Sequence, residues 1–215
     1  MSKLFVLLMV GMLVVSASCS FGGRTFKKTY ELLDAKEAKT PSWINDPQEW
    51  AEDNDEKDFK DFRYFVYDTE AKKRRGIACQ LARAKGSAEI ASEITQFIKQ
   101  SFGQSVQGDP TQNDDALEEY VETTLAQEVQ SFIVGAKVYR TYWEQRAYRE
   151  KKGADKDFTG YTCAALIKMS KKNIARAIRR AQRKLESVAN PETKKNVKAA
   201  LKDAADKFNE LDKKN

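Results

Sequence analysis

Histidine is absent from all 215 residues of this sequence. Its absence removes the commonest general base at neutral pH and the commonest zinc ligand. The chain also lacks a glycine-rich phosphate loop, a Gly-x-Ser-x-Gly nucleophile turn and a Ser-x-x-Lys motif. Paired acids do occur at Asp114, Asp115, Glu118 and Glu119, but pairs on a solvated helix face are ordinary surface. We therefore expect no catalytic residue, no cofactor, no metal site and no small-molecule substrate.

Long apolar runs are also scarce, and the longest one lies at the N-terminus. Lys3 is followed by the uncharged segment 4–15, then by small residues and Cys19. A membrane-spanning helix needs about 20 apolar residues, so this segment is too short to span and is typical of a secretory signal peptide. We expect residues 1–18 to be that signal.

The end of the signal resembles a lipobox, the motif in which a bacterial lipoprotein is cut before a cysteine that then carries lipid. The motif here is Ser16-Ala17-Ser18-Cys19, with Ser16 where an aliphatic residue is usual. The alternative is an ordinary signal peptide cut after Ser18. We predict Cys19 as a lipid anchor from this layout. Two lipid-linked chains would hold the protein stably at a membrane, where a single acyl chain binds only marginally.

Only two other cysteines, Cys79 and Cys163, are present. An exported protein can oxidise them to a disulfide. Each also lies in an apolar segment, where a buried free thiol is the ordinary outcome. Sequence does not show whether their Cα atoms are within bonding range, so both alternatives stay open.

Charge is divided unevenly along the chain. Residues 19–167 contain 22 basic and 26 acidic side chains, whereas residues 168–215 contain 15 and 6. In an exported protein a basic surface meets anionic lipid headgroups, cell-wall polymers or acidic proteins instead of nucleic acid. A solvated face without a partner is the alternative. The candidate anionic-partner face lies on one predicted helix and consists of Lys171, Lys172, Arg176, Arg179, Arg180 and Arg183.

Hydrophobic periodicity predicts a single α+β domain. Strands are expected at 63–67, 131–148 and 158–169, and long amphipathic helices at 70–102, at 170–188 and from 191 onward, with a shorter helix after Asn113. The prediction is an antiparallel sheet of about three strands packed against those helices. Its proposed parts are a signal at 1–18, an acidic tether arm at 19–62, the α+β domain at 63–188 and an extra C-terminal helix at 190–215.

Several segments together resemble the LPP-twenty family of bacterial membrane-associated lipoproteins. They are Pro-Ser-Trp-Ile-Asn-Asp-Pro at 41–47, the alanine-rich helix 78–94, Val134–Val138 leading to Trp143, and the strand opening at Tyr161 before a closing helix. The resemblance covers about residues 41–188. The acidic segment 49–61 and the helix at 191–212 depart from it.

The resemblance implies an α+β domain held at the outer membrane, on its periplasmic face, with no known catalytic activity. Ser20, directly after the anchor, is consistent with sorting to the outer membrane. Some lipoproteins with similar domains build rings and disks around the flagellar motor. We therefore expect a structural or scaffold protein that forms a homo-oligomer or docks to an envelope protein, with the membrane as a second partner and no nucleic acid.

Overall fold

The computed structural model describes residues 28–106 and 114–211. The predicted signal peptide and Cys19 lie outside these residues. Four β-strands are described: β1 (Tyr30–Ala35), β2 (Phe62–Asp68), β3 (Lys137–Tyr148) and β4 (Phe158–Ser170). The α-helices are α1 (Pro47–Asn54), α2 (Glu56–Phe59), α3 (Arg75–Val106), α4 (Asp115–Thr123), α5 (Leu125–Phe132), α6 (Lys171–Val188), α7 (Pro191–Ala200) and α8 (Ala204–Glu210).

The strands form one antiparallel sheet in the order β1-β3-β4-β2. The centre is the hairpin of β3 and β4, in which Tyr148 pairs with Phe158 across a turn that contains Gly153 at a φ of 91°. The α+β class and the antiparallel sheet are confirmed. The expectation of about three strands is corrected, because β1 adds a fourth from a segment that was predicted to be a tether.

Each face of the sheet is covered by its own hydrophobic layer. Residues of β4 alternate between them, because successive strand side chains point to opposite faces. Cys163, Ala165 and Ile167 join the larger core, which the helices α3 to α8 complete. Ala164 and Leu166 join a smaller core formed with the segment 42–51. We call these the large layer and the small layer.

Helix α3 approaches the sheet closely enough for a covalent link. A Cβ atom on Gly86 would lie only 1.7 Å from Cδ1 of Ile167, so the absence of a side chain at residue 86 lets the helix meet β4. About two helical turns before Gly86, Cys79 of α3 is joined to Cys163 of β4 in a disulfide, with their Cα atoms 5.0 Å apart. The structure thus selects the disulfide from the two alternatives that the sequence left open.

The prediction of a tether arm is wrong for residues 30–62. The strand β1 pairs with β3 along the edge of the sheet, and Trp43 and Ala51 are buried in the small layer. The prolines at 41 and 47 and the acidic run 49–61 suggested an extended linker here. The two tryptophans of this segment, Trp43 and Trp50, instead bury their rings against the outer face of the sheet.

Two further boundaries differ from the prediction. The strand expected from residue 131 begins at Lys137, because Ser131 and Phe132 complete α5. The expected C-terminal helix is divided into α7 and α8, and its Val197 and Phe208 are buried in the large layer, so this segment belongs to the domain. Within the described ranges, no helix combines the length and the apolar character needed to cross a membrane.

Candidate functional site

Helix α6 carries the predicted basic face, and its sequence explains why that face points outward. Ser170 caps the helix by accepting a hydrogen bond from the backbone N–H of Asn173 at 3.2 Å, a role that serine commonly takes at a helix start. A regular apolar stripe then follows the helical period and is buried in the large layer. Its members are Ile174, Ala177, Ile178, Ala181 and Leu185. The basic residues between them are left on the opposite side.

Lys171 does not belong to the open face that the sequence predicted. Its side chain is half-buried, and its ammonium group donates to the carbonyl oxygens of Phe59 at 3.0 Å and Lys60 at 3.1 Å. Its backbone N–H donates to the carbonyl of Asp61. Lys171 therefore fastens the start of α6 to the end of α2.

The other five predicted residues are exposed on α6. Arg180 lies over the ring of Phe132, with its guanidinium 5.8 Å from the ring centroid. The remaining four are spaced by four, three and four positions, which places them on one helix face over about 16 Å. We call them the α6 cationic row: Lys172, Arg176, Arg179 and Arg183.

The α6 cationic row has no acidic partner among the residues that the structure describes. Arg176 donates to the side-chain carbonyl of Asn173 at 3.2 Å, which leaves its charge uncompensated. The neighbouring Lys184, by contrast, forms an ion pair with Glu128 at 3.6 Å. The row thus presents four positive charges to solvent.

A second cluster of charged groups lies on the other side of the sheet, around Lys168 of β4. Its ammonium nitrogen is 2.5 Å from a carboxylate oxygen of Asp58 and 3.3 Å from one of Asp55. It also lies 4.2 Å from the centroid of the Tyr139 ring. The hydroxyl of Tyr64 donates to Asp55 at 2.6 Å. These contacts hold the junction of α1 and α2 against the sheet.

The electrostatics of this cluster keep both of its proton-donating groups protonated at neutral pH. Burial lowers the pKa of Lys168, but its hydrogen bonds to Asp58 and Asp55 outweigh that effect and raise the pKa above its ordinary value. Burial and the hydrogen bond to Asp55 raise the pKa of the Tyr64 phenol. Lys168 therefore stays an ammonium and Tyr64 stays a phenol, so neither group is a base or a nucleophile there.

Glu144 of β3 is a buried carboxylate with three donors. It accepts from Tyr142 at 3.2 Å and Thr40 at 3.3 Å, and it forms an ion pair with Arg146 at 2.7 Å. Burial and the nearby Glu144 raise the pKa of the Tyr142 phenol, although a hydrogen bond with Thr40 lowers it in part. This network attaches the segment before α1 to the sheet.

Sequence reasoning predicted neither polar network. Lys168 could have been noticed, because a lysine inside the apolar strand 161–169 needs a carboxylate when it is buried, and the acidic run 49–61 supplies several. Glu144 offers a similar cue in an aromatic strand. The partners themselves depend on tertiary packing, since Asp58 and Lys168 are 110 residues apart in the sequence.

The described residues contain no group of three or more His, Cys, Asp or Glu side chains placed to hold a metal ion. The predicted anchor Cys19 lies outside them, and Cys79 and Cys163 are consumed in the disulfide. The most distinctive exposed surface of α6 is its cationic row. The chain matches no family model, no curated protein and no solved structure.

Proposed function

We propose that this chain is a scaffold lipoprotein of the cell envelope that is anchored through Cys19 at the periplasmic face of the outer membrane. Its folded domain docks to an anionic envelope component through the α6 cationic row. The proposal includes membership of the LPP-twenty family. The observation that carries it is the set of four exposed cations on one helix face without an acidic partner among the described residues.

The energetics of the row support a binding role. Like charges at i and i+4 on a helix destabilise it by about 0.2–0.5 kcal/mol per pair. The row contains two such pairs, Lys172 with Arg176 and Arg179 with Arg183. Their summed field attracts anions and accelerates the encounter with an anionic surface. Docking of phosphate or carboxylate groups relieves the repulsion within the row.

If the protein is anchored to the membrane, a modest affinity of the α6 cationic row for its partner is sufficient. Cys19 precedes the first described residue, Lys28, by nine positions, and an extended chain of that length reaches at most about 30 Å. A domain tethered at this range meets other components of the same membrane at a high effective concentration. The row then needs to supply orientation and specificity more than affinity.

Binding to anionic surfaces tests the docking claim. The protein is the mature chain from residue 19 with Cys19→Ser, so that acyl chains do not dominate, and the probes are phosphatidylglycerol vesicles and purified cell walls at low salt. We expect sedimentation with at least one probe, and little with phosphatidylcholine vesicles. Changing all four residues of the row to Gln abolishes that binding.

A matched variant separates a specific surface from overall charge. Changing four exposed cations elsewhere to Gln alters the net charge equally; they are Lys73, Arg74, Lys151 and Lys156. This variant should bind like the unaltered protein. Equal losses in both variants, or no binding of the unaltered protein to either probe, would contradict the proposal.

The anchor is tested separately by mass spectrometry of the N-terminal peptide from the membrane fraction of the native host. We expect a mature chain that begins at an acylated Cys19. An unmodified chain that begins at Cys19 would reject the anchor while leaving the docking claim open.

Self-association is the second candidate, favoured by the exposed edge strand β1. Leu32 and Leu33 are 51% and 52% exposed there, beside a strand edge that pairs with nothing in the described part of the chain. Such an edge is a template for pairing with another chain. Analytical ultracentrifugation should show an oligomer that Leu32→Lys with Leu33→Lys converts to a monomer. A monomer at every concentration of the unaltered protein contradicts this candidate.

A further inference from the structure

Two valines beside helix α6 face solvent. Val134, in the segment 133–136 between α5 and β3, is 56% exposed. It is the most exposed large hydrophobic side chain among the residues that the structure describes. Val138, near the start of β3, is 42% exposed. Phe132 and Ile133, which precede them, are half-buried against the large layer. An apolar strip therefore runs from the large layer to the surface at this point.

Val138 lies on the same side of the sheet as α6. It pairs with Ile167 of β4, whose side chain is buried in the large layer together with the apolar stripe of α6. Residues that pair directly across an antiparallel ladder point to the same face of the sheet. Val134 and Val138 are four positions apart, so their Cα atoms are separated by at most about 14 Å. The two valines therefore belong to one surface, which we call the valine edge.

Asn173 of α6 holds the valine edge against the α6 cationic row. Its side-chain amide donates to the carbonyl oxygen of Val134 at 3.0 Å, and its side-chain oxygen accepts from the guanidinium of Arg176 at 3.2 Å. Gly135 follows with a φ of 85°, and a Cβ atom there would lie 2.6 Å from the amide nitrogen of Asn173. The chain therefore passes directly against Asn173, and a single side chain links Val134 to a cation of the row.

The chain segments that form the valine edge and its cations contain few carboxylates. Residues 125–140 and 171–188 include α5, the start of β3 and α6, and their only acidic residues are Glu128 and Glu186. Glu128 is paired with Lys184 at 3.6 Å, and Glu186 lies near the far end of α6. The valine edge therefore lies in a region of positive charge, which favours an anionic partner.

Exposed apolar side chains beside cations favour a membrane over an anionic polymer as the partner. The groups of a cell-wall polymer are hydrated, so contact with two valines adds little to its binding. A bilayer with anionic headgroups offers negative charge at its surface and hydrocarbon directly beneath it. Lysine and arginine suit this boundary, because their stems cover apolar area while their charged ends stay in water. The valine edge and the α6 cationic row together match both layers.

We propose that the anionic component bound by the α6 cationic row is the surface of a lipid bilayer, into which Val134 and Val138 insert. The inference rests on the proposed docking role of the row and names its partner. The four cations contact anionic headgroups, and the valine edge enters the apolar region beside them. The predicted anchor at Cys19 and the valine edge then hold the domain at the membrane in two places, which fixes its orientation.

Vesicle binding tests the contribution of the two valines. The protein is the mature chain with Cys19→Ser, and the probes are phosphatidylglycerol vesicles and purified cell walls at low salt. Val134→Thr with Val138→Thr keeps the shape of each side chain and adds a hydroxyl group. We expect this variant to bind vesicles about tenfold more weakly, with no change in any binding to cell walls. The matched control, Ile77→Thr with Leu211→Thr, changes two side chains that are each 46% exposed elsewhere and should have no effect.

Fluorescence of a Val134→Trp variant reports insertion independently of affinity. Bromine atoms on the acyl chains quench a tryptophan that enters the hydrocarbon. We expect phosphatidylglycerol vesicles with brominated chains to quench the introduced tryptophan. The emission of the unaltered protein should change little, because its described tryptophans pack in the large layer and the small layer.

Equal vesicle binding by the threonine variant and the unaltered protein would overturn the inference. An introduced tryptophan that is not quenched in the vesicle-bound protein would overturn it too. Binding to cell walls but not to vesicles would also overturn it, and would leave the proposed docking function standing if the Gln changes in the α6 cationic row abolish that binding. Vesicle binding that survives those Gln changes would instead contradict the proposed function, so the two proposals fail separately.

Discussion

Charged side chains have different partners on the two sides of the sheet. Residues 46–61, which include α1 and α2, contain eight acidic and two basic side chains, whereas residues 171–188, which form α6, contain seven basic and one acidic. In the small layer, Asp55 and Asp58 hold Lys168 and stabilise the fold. On α6, four cations have no acidic partner in the described structure and remain available to bind. A charged residue is therefore informative about function only after its partners are known.

The largest effect should come from the disulfide that ties α3 to β4. Cys79 and Cys163 are 84 residues apart, and a loop of that length corresponds to about 4.5 kcal/mol of stabilisation in the chain-entropy model. Urea unfolding of the oxidised and reduced protein should differ by that amount. A reduced protein of equal stability would show that packing of α3 alone holds the large layer.

Removing the part-buried cation Lys168 should have the next largest effect, in the small layer. Lys168→Met leaves Asp55 and Asp58 beside an apolar side chain, and loss of one partner from a buried ion pair destabilises by about 3 kcal/mol. Urea unfolding measures this loss, with Lys172→Met on the exposed face of α6 as the matched control. Similar stability of both variants would contradict the distinction between the two sides.

The small layer should also respond to pH. Burial raises the pKa of Asp55, but hydrogen bonds from Tyr64 and Lys168 outweigh it and lower the pKa below the ordinary value of 3.8. A lowered pKa in the folded state contributes stability that is present above 3.8 and is lost as pH falls through the folded value. The raised pKa of Lys168 contributes stability that is present below 10.5 and is lost as pH rises through the folded value.

Tryptophan fluorescence can follow this pH response. Trp43 and Trp50 report on the small layer, and Trp143→Phe removes the remaining tryptophan. We expect emission to change below pH 3.8 and to be steady near neutrality. The same titration of Lys168→Met should begin its transition at higher pH, because one of the groups that lowers the pKa of Asp55 is gone.

The smallest effect on stability is expected on α6. Changing the four residues of the α6 cationic row to Gln removes no described ion pair and relieves like-charge repulsion, so stability should rise by no more than about 1 kcal/mol. Urea unfolding of this variant measures the change. A loss comparable with that of Lys168→Met would mean that the row has partners within the fold.

Periodicity predicted the elements whose residues face one core. The strand β4 and helix α6 were predicted with nearly their observed bounds. Residues 30–62 were misjudged because proline and acidic side chains outweighed two tryptophans in the sequence pattern. Their burial depends on contacts with a sheet formed much later in the chain, which local patterns do not encode.

The candidate site was predictable to a similar degree. Exposure of the basic face on α6 follows from the apolar stripe opposite it, and five of the six predicted residues are exposed. Lys171 differs because it lies at the sheet end, where α2 presents two carbonyl oxygens. Predicting the disulfide would have required the distance between the Cα atoms of the two cysteines. Predicting the Lys168 cluster would have required the position of α2 relative to the sheet. Neither can be derived from the sequence.

Arginine footprinting tests the docking claim most directly. The mature Cys19→Ser chain is treated with phenylglyoxal in the presence and absence of whichever anionic probe it binds, and modification is measured by peptide mass spectrometry. The account predicts that the probe protects Arg176, Arg179 and Arg183, while Arg74, exposed elsewhere on the domain, reacts equally in both samples. Equal modification of the three α6 arginines with and without the probe would contradict docking through the α6 cationic row.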